Sequence, residues 1–234
     1  MNNPWLSIII PVMNEEKIIG RTLSHLRQIF IPGEAEIIVA DGGSRDQTAK
    51  IAGGFAEVKI LSSRIGRGPQ MNRGAEEAKG QILLFLHADV ELPEGAGAMV
   101  GSAFKKSRVV GGCFKIKTVI ASRRSRLFNL LIKTADWRSH FTRYPYGDQA
   151  VFVRKEVFEE LGGFKDYPIM EDLEFSRRLH RAGKIVRVAV AVRVSGRRWE
   201  QNIIRNFIKL KTLPLLFRLG VPPAKLARFY RNIR

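Results

Sequence analysis

The stretch Gln81–Pro93, QILLFLHADVELP, is an apolar run from Ile82 to Leu86 that stops abruptly at His87, Ala88 and Asp89. Its hydrophobicity is too continuous for a half-exposed strand, so it reads as a central strand of a parallel sheet, covered on both faces. In open α/β sheets the binding crevice lies just beyond the C-terminal strand ends. A carboxylate there suits a divalent cation held against a diphosphate, and Asp89 is the candidate. A second reading of the same residues is that His87 and Asp89 only cap the turn that follows.

Outward from this strand, the chain alternates strand and helix. Leu6–Ile10 is a short apolar strand stopped by Pro11. Asn14 is placed to cap a helix with Glu15 and Glu16 in its first turn and Ile18, Ile19, Leu23, Leu26 and Ile29 at helical spacing. Glu36–Ala40 is a second strand, followed by Asp41, Gly42, Gly43 and Ser44 and a short helix from about Asp46 to Thr48. Val58–Leu61 is a third. The Ser62–Pro69 loop carries Arg64 and Arg67 between glycines, and a helix from about Gln70 to Lys79 leads back to the central strand. Short connections between alternating elements predict parallel pairing and right-handed crossovers, hence a Rossmann-like sheet for the first hundred residues or so.

Bulk properties narrow the function classes. The 234 residues suit one α/β domain with a decorated C-terminal end. One cysteine, Cys113, excludes an internal disulfide framework and a thiolate metal cluster, which fits a reducing cytoplasm. MNNPWLSIIIPV lacks a basic leader and reads as a first strand, and no run approaches the roughly 18 apolar residues of a membrane span. The formal charge of +18 favours anionic partners such as nucleotides or anionic lipid head groups. Basic residues cluster at Arg123, Arg124 and Arg126 and again from Arg187 to Arg234, but no nucleic-acid module accompanies them, so nucleic acid is not the expected partner.

The polar residues gather after strands. Pro11, Asn14 and Glu15 follow the first, Asp41 the second, and Asp89 the central one, with glycines that let backbone approach a ligand. Neither GxGxxG nor GxxxxGKS/T is present, so a dinucleotide or P-loop site is unsupported. Further on, Val109–Lys117 reads as a strand, and Leu127, Leu130, Leu131 and Thr134 as the apolar side of a helix opposite Arg123, Arg126 and Lys133. An aromatic-rich stretch then leads to Gly147, Asp148 and Gln149 before the strand Ala150–Val153. Asp148 and Gln149 are placed to hydrogen-bond a hydroxylated ligand, or Gly147 and Asp148 simply make the turn. Glu171 and Asp172 open a helix closed by Gly183. Consecutive helix positions differ by about 100°, so the two carboxylates point in different directions and are no paired dyad: either one faces the cleft while the other braces the helix, or both are ordinary first-turn acids. The helix dipole stabilises negative charge there, which suits a general base.

The series PVMNEE, VADGGSRDQT, the Arg64–Asn72 loop, FLHAD and PIMEDLEFSRRLHRAG resembles the inverting nucleotide-sugar glycosyltransferases of family 2, over about Leu6 to Val188. The resemblance implies a GT-A fold, a mostly parallel central sheet flanked by helices. It also implies transfer of a sugar from a UDP- or GDP-type nucleotide sugar to an acceptor hydroxyl with inversion. Pro11, Glu15 and Asp41 would line the nucleoside pocket, with Asn14, Arg64, Arg67, Asn72, His87 and Ala88 completing the donor site. Asp89 would hold Mg²⁺ or Mn²⁺, Asp172 would be the base, and Gly147, Asp148, Gln149 and Glu171 would meet the acceptor. The chain departs from the pattern at Gly42, where paired aspartates are common, and at His87, where the metal motif has an acid. An imidazole there brings no charge, which shifts the burden to Asp89 and the diphosphate.

Residues 1–195 are thus expected to form the catalytic domain, 1–110 binding donor and 111–195 acceptor. Residues 196–234 are expected to form a basic amphipathic helical tail, bent or broken at Pro214, that packs on the core or lies on the inner face of the cell membrane beside a lipid-linked acceptor. Arg197, Arg198 and Trp199 resemble the QxxRW element of processive family members, but Ser195 stands at the glutamine position, so no polymerisation is expected. A nucleotidyltransferase is disfavoured by the lack of a glycine-rich N-terminal loop with following Arg and Lys. A non-catalytic sugar-nucleotide or membrane-binding module is kept open by His87.

Overall fold

A computed structural model describes residues 4–120, 126–141, 143–197, 199 and 203–231. Arg123, Arg124, Arg198 and Arg234, part of the basic clusters read above, lie outside the described residues.

The first half is the predicted alternation: β1 (Leu6–Val12), α1 (Ile19–Ile29), β2 (Ala35–Asp41), α2 (Thr48–Gly53), β3 (Val58–Ser62), α3 (Arg67–Glu76) and β4 (Ile82–Phe85). β3, β2, β1 and β4 lie side by side, all parallel. The apolar runs are continuous because each strand feeds two cores. Leu6, Ile8, Ile37, Val39, Ile82 and Leu84 pack into one with α1 and α4 (Ala96–Phe104), while Ile9, Ile38, Leu83 and Phe85 pack into the other with Phe158, Phe164 and Phe175.

Beyond β4 the sheet becomes mixed. β7 (Phe152–Arg154) runs antiparallel to β4, and β6 (Val109–Val119) antiparallel to β7. β8 (Lys184–Ser195) pairs parallel with β6, and the short β5 (Val90–Glu91) pairs antiparallel with β8 at the far edge. The β5–β8 pairing returns the chain to the central crevice, where Ser195 N–H donates to the Asp89 carbonyl at 3.0 Å.

Several local expectations are corrected. Pro11 does not end β1; β4 stops at Phe85, opposite Ile9, so no neighbour on that side asks Pro11 for an N–H. α1 begins at Ile19 rather than at Glu15. Asn14 is left-handed (φ 55°), and its side-chain oxygen accepts from Arg45 N–H at 2.8 Å instead of capping a helix. α5 (Arg126–Arg138) buries Phe128, Ile132 and Ala135, while Leu130, read as inward, is exposed. The tail forms helices Ile203–Arg218 and Pro223–Arg231, the first running unbroken through Pro214. It ends at Gly220 (φ 89°), where Gly220 N–H donates to Phe217 carbonyl and Val221 N–H to Leu216 carbonyl in a Schellman closure.

Candidate active site

Three strand-end loops, after β1, β2 and β4, lie together. Each is stiffened by side chains reaching into the next. The Asp41 carboxylate accepts from Ser44 N–H at 3.1 Å and from its hydroxyl at 2.5 Å, and Ser44 Oγ in turn accepts Asn14 N–H at 2.9 Å. Thr48 Oγ1 accepts Glu15 N–H at 2.8 Å. Beneath them lies Gln70, buried on α3, whose amide donates to the Val12 carbonyl at 2.7 Å and the Ala40 carbonyl at 2.8 Å. This glutamine fixes the spacing of the β1 and β2 ends. It also fills the space that a side chain at position 42 would need: a Cβ on Gly42 would lie 3.0 Å from it. The glycine that replaces a second acid is therefore a packing requirement.

His87 and Asp89 leave β4 beside these loops. Thr22 of α1 holds the intervening turn by donating its hydroxyl to the Ala88 carbonyl at 2.6 Å. The Asp89 side chain is 9% exposed, and the Arg197 guanidinium lies 3.9 Å from it. That guanidinium also makes a two-pronged contact with the Glu15 carboxylate, at 2.9 and 2.8 Å. Arg197 was not expected at this site; the sequence offered only its place in the basic run and in the QxxRW-like stretch. A cavity of about 270 Å³ opens beside Asp89 and Arg197, walled by Thr22, Glu91 and Ser195.

Asp172 reaches the same rim from the other half of the chain. α7 (Glu171–Ala182) begins after Met170, which is left-handed at φ 68°. Asp172 Oδ2 accepts Gly147 N–H at 2.8 Å and Oδ1 accepts Leu173 N–H at 2.7 Å. Gly147 sits against both sides of the site: a Cβ there would lie 2.8 Å from His87 Nε2 and 3.4 Å from Asp172 Oδ2. His87, Gly147 and Asp172 thus lie in series, bringing an acid from the second half of the chain within a few side chains of the β4 exit.

The remaining expected residues fall into two groups. Arg64 and Arg67 are paired with acids, Arg64 with Asp166 at 2.9 Å and Arg67 with Glu171 at 2.8 Å, lacing the β3–α3 loop to the start of α7. Glu171 is 1% exposed, and burial pushes its carboxyl up to about 7, with Arg67 pulling it back and Asp172 adding to the rise. Asn72 and Gln149 are committed inside the protein. The Asn72 amide donates to the Phe164 carbonyl and accepts Phe164 N–H, both at 2.8 Å. Gln149 is buried, accepting Tyr146 N–H and donating to the Phe114 carbonyl, so it shapes the Gly147–Gln149 turn and has no free reach toward an acceptor. Asp148 is half-buried in that turn. Cys113 is buried and its thiol pushed up to about 12 by burial, the mark of a core residue.

Among the described residues no three of His, Cys, Asp and Glu come together as a closed metal cage. Asp89 supplies one carboxylate at the strand end, and a hard cation such as Mg²⁺ held by one or two carboxylates would complete its shell with substrate phosphates.

The sequence matches the family model for glycosyl transferase family 2 over residues 7–162. It is 26% identical over 219 residues to a probable glycosyltransferase, YdaM, of Bacillus subtilis, covering 85% of this chain and 51% of that protein. To a PGL/p-HBAD biosynthesis glycosyltransferase of Mycobacterium bovis it is 29% identical, covering 94% of this chain and 88% of the relative. The chain thus spans about half the length of the first of these relatives. Among solved structures, Staphylococcus aureus TarS 1-349 in complex with UDP superimposes with a TM-score of 0.64 at 18% identity, covering 90% of this chain and 64% of that one. The mannosyltransferase PcManGT of Pyrobaculum calidifontis, in complex with GDP-Man and Mn²⁺, gives 0.59 at 20%, covering 82% and 57%. The fold is that of the GT-A glycosyltransferases.

Proposed function

Because this chain belongs to glycosyl transferase family 2, we propose that it moves a sugar from a nucleoside-diphosphate sugar onto an acceptor hydroxyl in a single inverting displacement, with Asp172 as the base. The observation that carries this reading is the contact series His87, Gly147, Asp172, which joins the donor-side strand end to an acid from the other half of the chain.

In this mechanism the donor lies over the β1, β2 and β4 ends, its nucleoside against Pro11, Glu15 and Asp41, with Asn14, His87 and Ala88 beside it. Asp172 uses each carboxylate oxygen once, on Gly147 and Leu173 N–H, which leaves a lone pair on each. The fixed carboxylate takes the proton of the acceptor hydroxyl as that oxygen attacks the anomeric carbon and the nucleoside diphosphate departs. Asp89 would hold Mg²⁺ or Mn²⁺, an ion that neutralises charge on the leaving diphosphate. Arg197, itself paired with Glu15 and 3.9 Å from Asp89, ties the β1 end to the β4 exit and sets the charge beside Asp89. Arg64 and Arg67, already paired with acids, act as struts of the acceptor side, together with Glu171 and the Gly147–Asp148 turn.

The test is a panel of UDP- and GDP-sugars with Mn²⁺ and simple hydroxyl acceptors, read by nucleoside diphosphate release and the anomeric configuration of the product. Release with an inverted product is expected. A retained configuration, or pyrophosphate release from a nucleoside triphosphate in its place, would overturn the reading.

A further inference from the structure

Two helices present unpartnered apolar residues to solvent, and they pack against each other. α5 exposes Leu130 and Trp137, with Phe141 exposed in the turn that follows it, and the helix Ile203–Arg218 exposes Ile204, Ile208 and Leu215, all between 54% and 69% accessible. The positions are not scattered. A step of seven residues in α5, and steps of four and seven in the tail helix, return to one side of an α-helix, so each set forms a stripe. Trp137 and Phe141 also stack edge to face at 4.8 Å, giving one aromatic protrusion.

The charge around these stripes has one sign. Arg126 and Lys133 flank the first, and Lys211 and Arg218 the second, all exposed. Residues 203–234 contain no Asp or Glu. The one acid of α5, Asp136, is spent on Thr118, accepting its N–H at 2.8 Å and its hydroxyl at 2.6 Å. Between the two tail helices runs an apolar groove of about 540 Å³, bordered by Ile204, Ile208, Leu216 and Phe229 with Arg205 and Lys209 along it. No described helix is long and apolar enough to cross a membrane.

We infer that this face, α5 with the two tail helices, docks on an anionic lipid bilayer, its apolar stripes entering the interface and its cations meeting the head groups. Exposed aliphatic and aromatic stripes flanked by Lys and Arg, with little net hydrophobicity, are the makeup of a helix that lies in the bilayer surface. An acidic protein partner would also receive such aromatics and cations, and absence of binding to anionic vesicles is the outcome that would favour it. The face is also connected to the candidate site. Leu213, Leu226 and Ala227 of the tail pack on Ile169, two residues before Glu171, with Met170 against the same cluster.

The inference is independent of catalysis and can be tested without donor or turnover, so its failure leaves the glycosyl-transfer reading standing. The full chain is sedimented with vesicles of phosphatidylcholine alone or mixed with phosphatidylglycerol. Two variants, Trp137→Ala/Phe141→Ala and Ile204→Gln/Ile208→Gln, are compared after circular dichroism has matched their melting to the parent. Binding to the mixed vesicles and not to the neutral ones is expected, falling roughly tenfold or more in each variant. Absence of binding to the anionic vesicles would overturn the inference. So would binding that both folded variants keep in full, since the cations alone would then account for it.

Discussion

Replacing Glu171 by glutamine removes the most costly ionisable group near the site, and its effect on stability follows from where that carboxyl lies. Glu171 is 1% exposed, neither of its oxygens has a hydrogen-bond partner of good geometry among the described residues, and Arg67 reaches Oε1 at 2.8 Å only as an ion pair. Burial is the main cause of a folded-state value of about 7, against 4.5 for a free side chain. An acid whose value rises on folding holds its proton longer in the native state than in the unfolded chain. Native stability therefore falls as pH climbs from about 4.5 to about 7 and levels off above that. At 1.36 kcal/mol per pH unit the loss is roughly 3 kcal/mol, a large share of the stability of an ordinary domain. Glutamine keeps the shape and cannot ionise, and Arg67, partly solvated, tolerates the loss of its partner's charge. Urea unfolding of both proteins at pH 5 and pH 8 is the assay. The parent should lose about 2–3 kcal/mol more than Glu171→Gln between the two. Parallel losses would refute the assignment of a strained, buried carboxyl to this position.

Three further outcomes follow from single contacts. Gly147→Ala puts a methyl 2.8 Å from the His87 ring; displacement of the ring or of the Asp172 anchor should cut turnover on the order of 10²-fold with little change in melting temperature, measured by steady-state kinetics. Arg197→Met keeps the stem but removes the cation beside Asp89 and the partner of Glu15, so donor affinity by calorimetry should weaken by about tenfold and more steeply at low salt. Gln70→Leu leaves the Val12 and Ala40 carbonyls without their donor, and chemical denaturation should show a loss of about 2–4 kcal/mol.

The parallel half was legible because its strands are buried on both faces and therefore apolar without interruption, as Ile82–Phe85 and Ile8–Ile10 are. The mixed half was not. β8 scatters Lys184, Arg187 and Arg193 among Val, Ile and Ala and lies largely half-exposed, so its pattern carried no comparable signal, and its pairing with β5 is set by contacts a hundred residues apart. Arg197 escaped notice for that reason: only the β5–β8 pairing brings it to Asp89. Gln70 was legible only as the start of a helix, since nothing local reveals that its amide bridges two strand ends. Asn14 and Glu15 have the composition of a helix start, but the β2–α2 loop competes for their backbone and delays the helix to Ile19. In α5 the apolar residues exceed what one buried face can hold, which made the inward side ambiguous and left Leu130 and Trp137 outside.

Asp172 carries the central claim, and the direct measurement is donor binding and turnover side by side in Asp172→Asn. The amide preserves an acceptor for Gly147 N–H but cannot take a proton. Nucleotide-sugar affinity should stay within about twofold of the parent while transfer falls by roughly 10²-fold or more. Full turnover in Asp172→Asn, with donor affinity unchanged, would contradict the account.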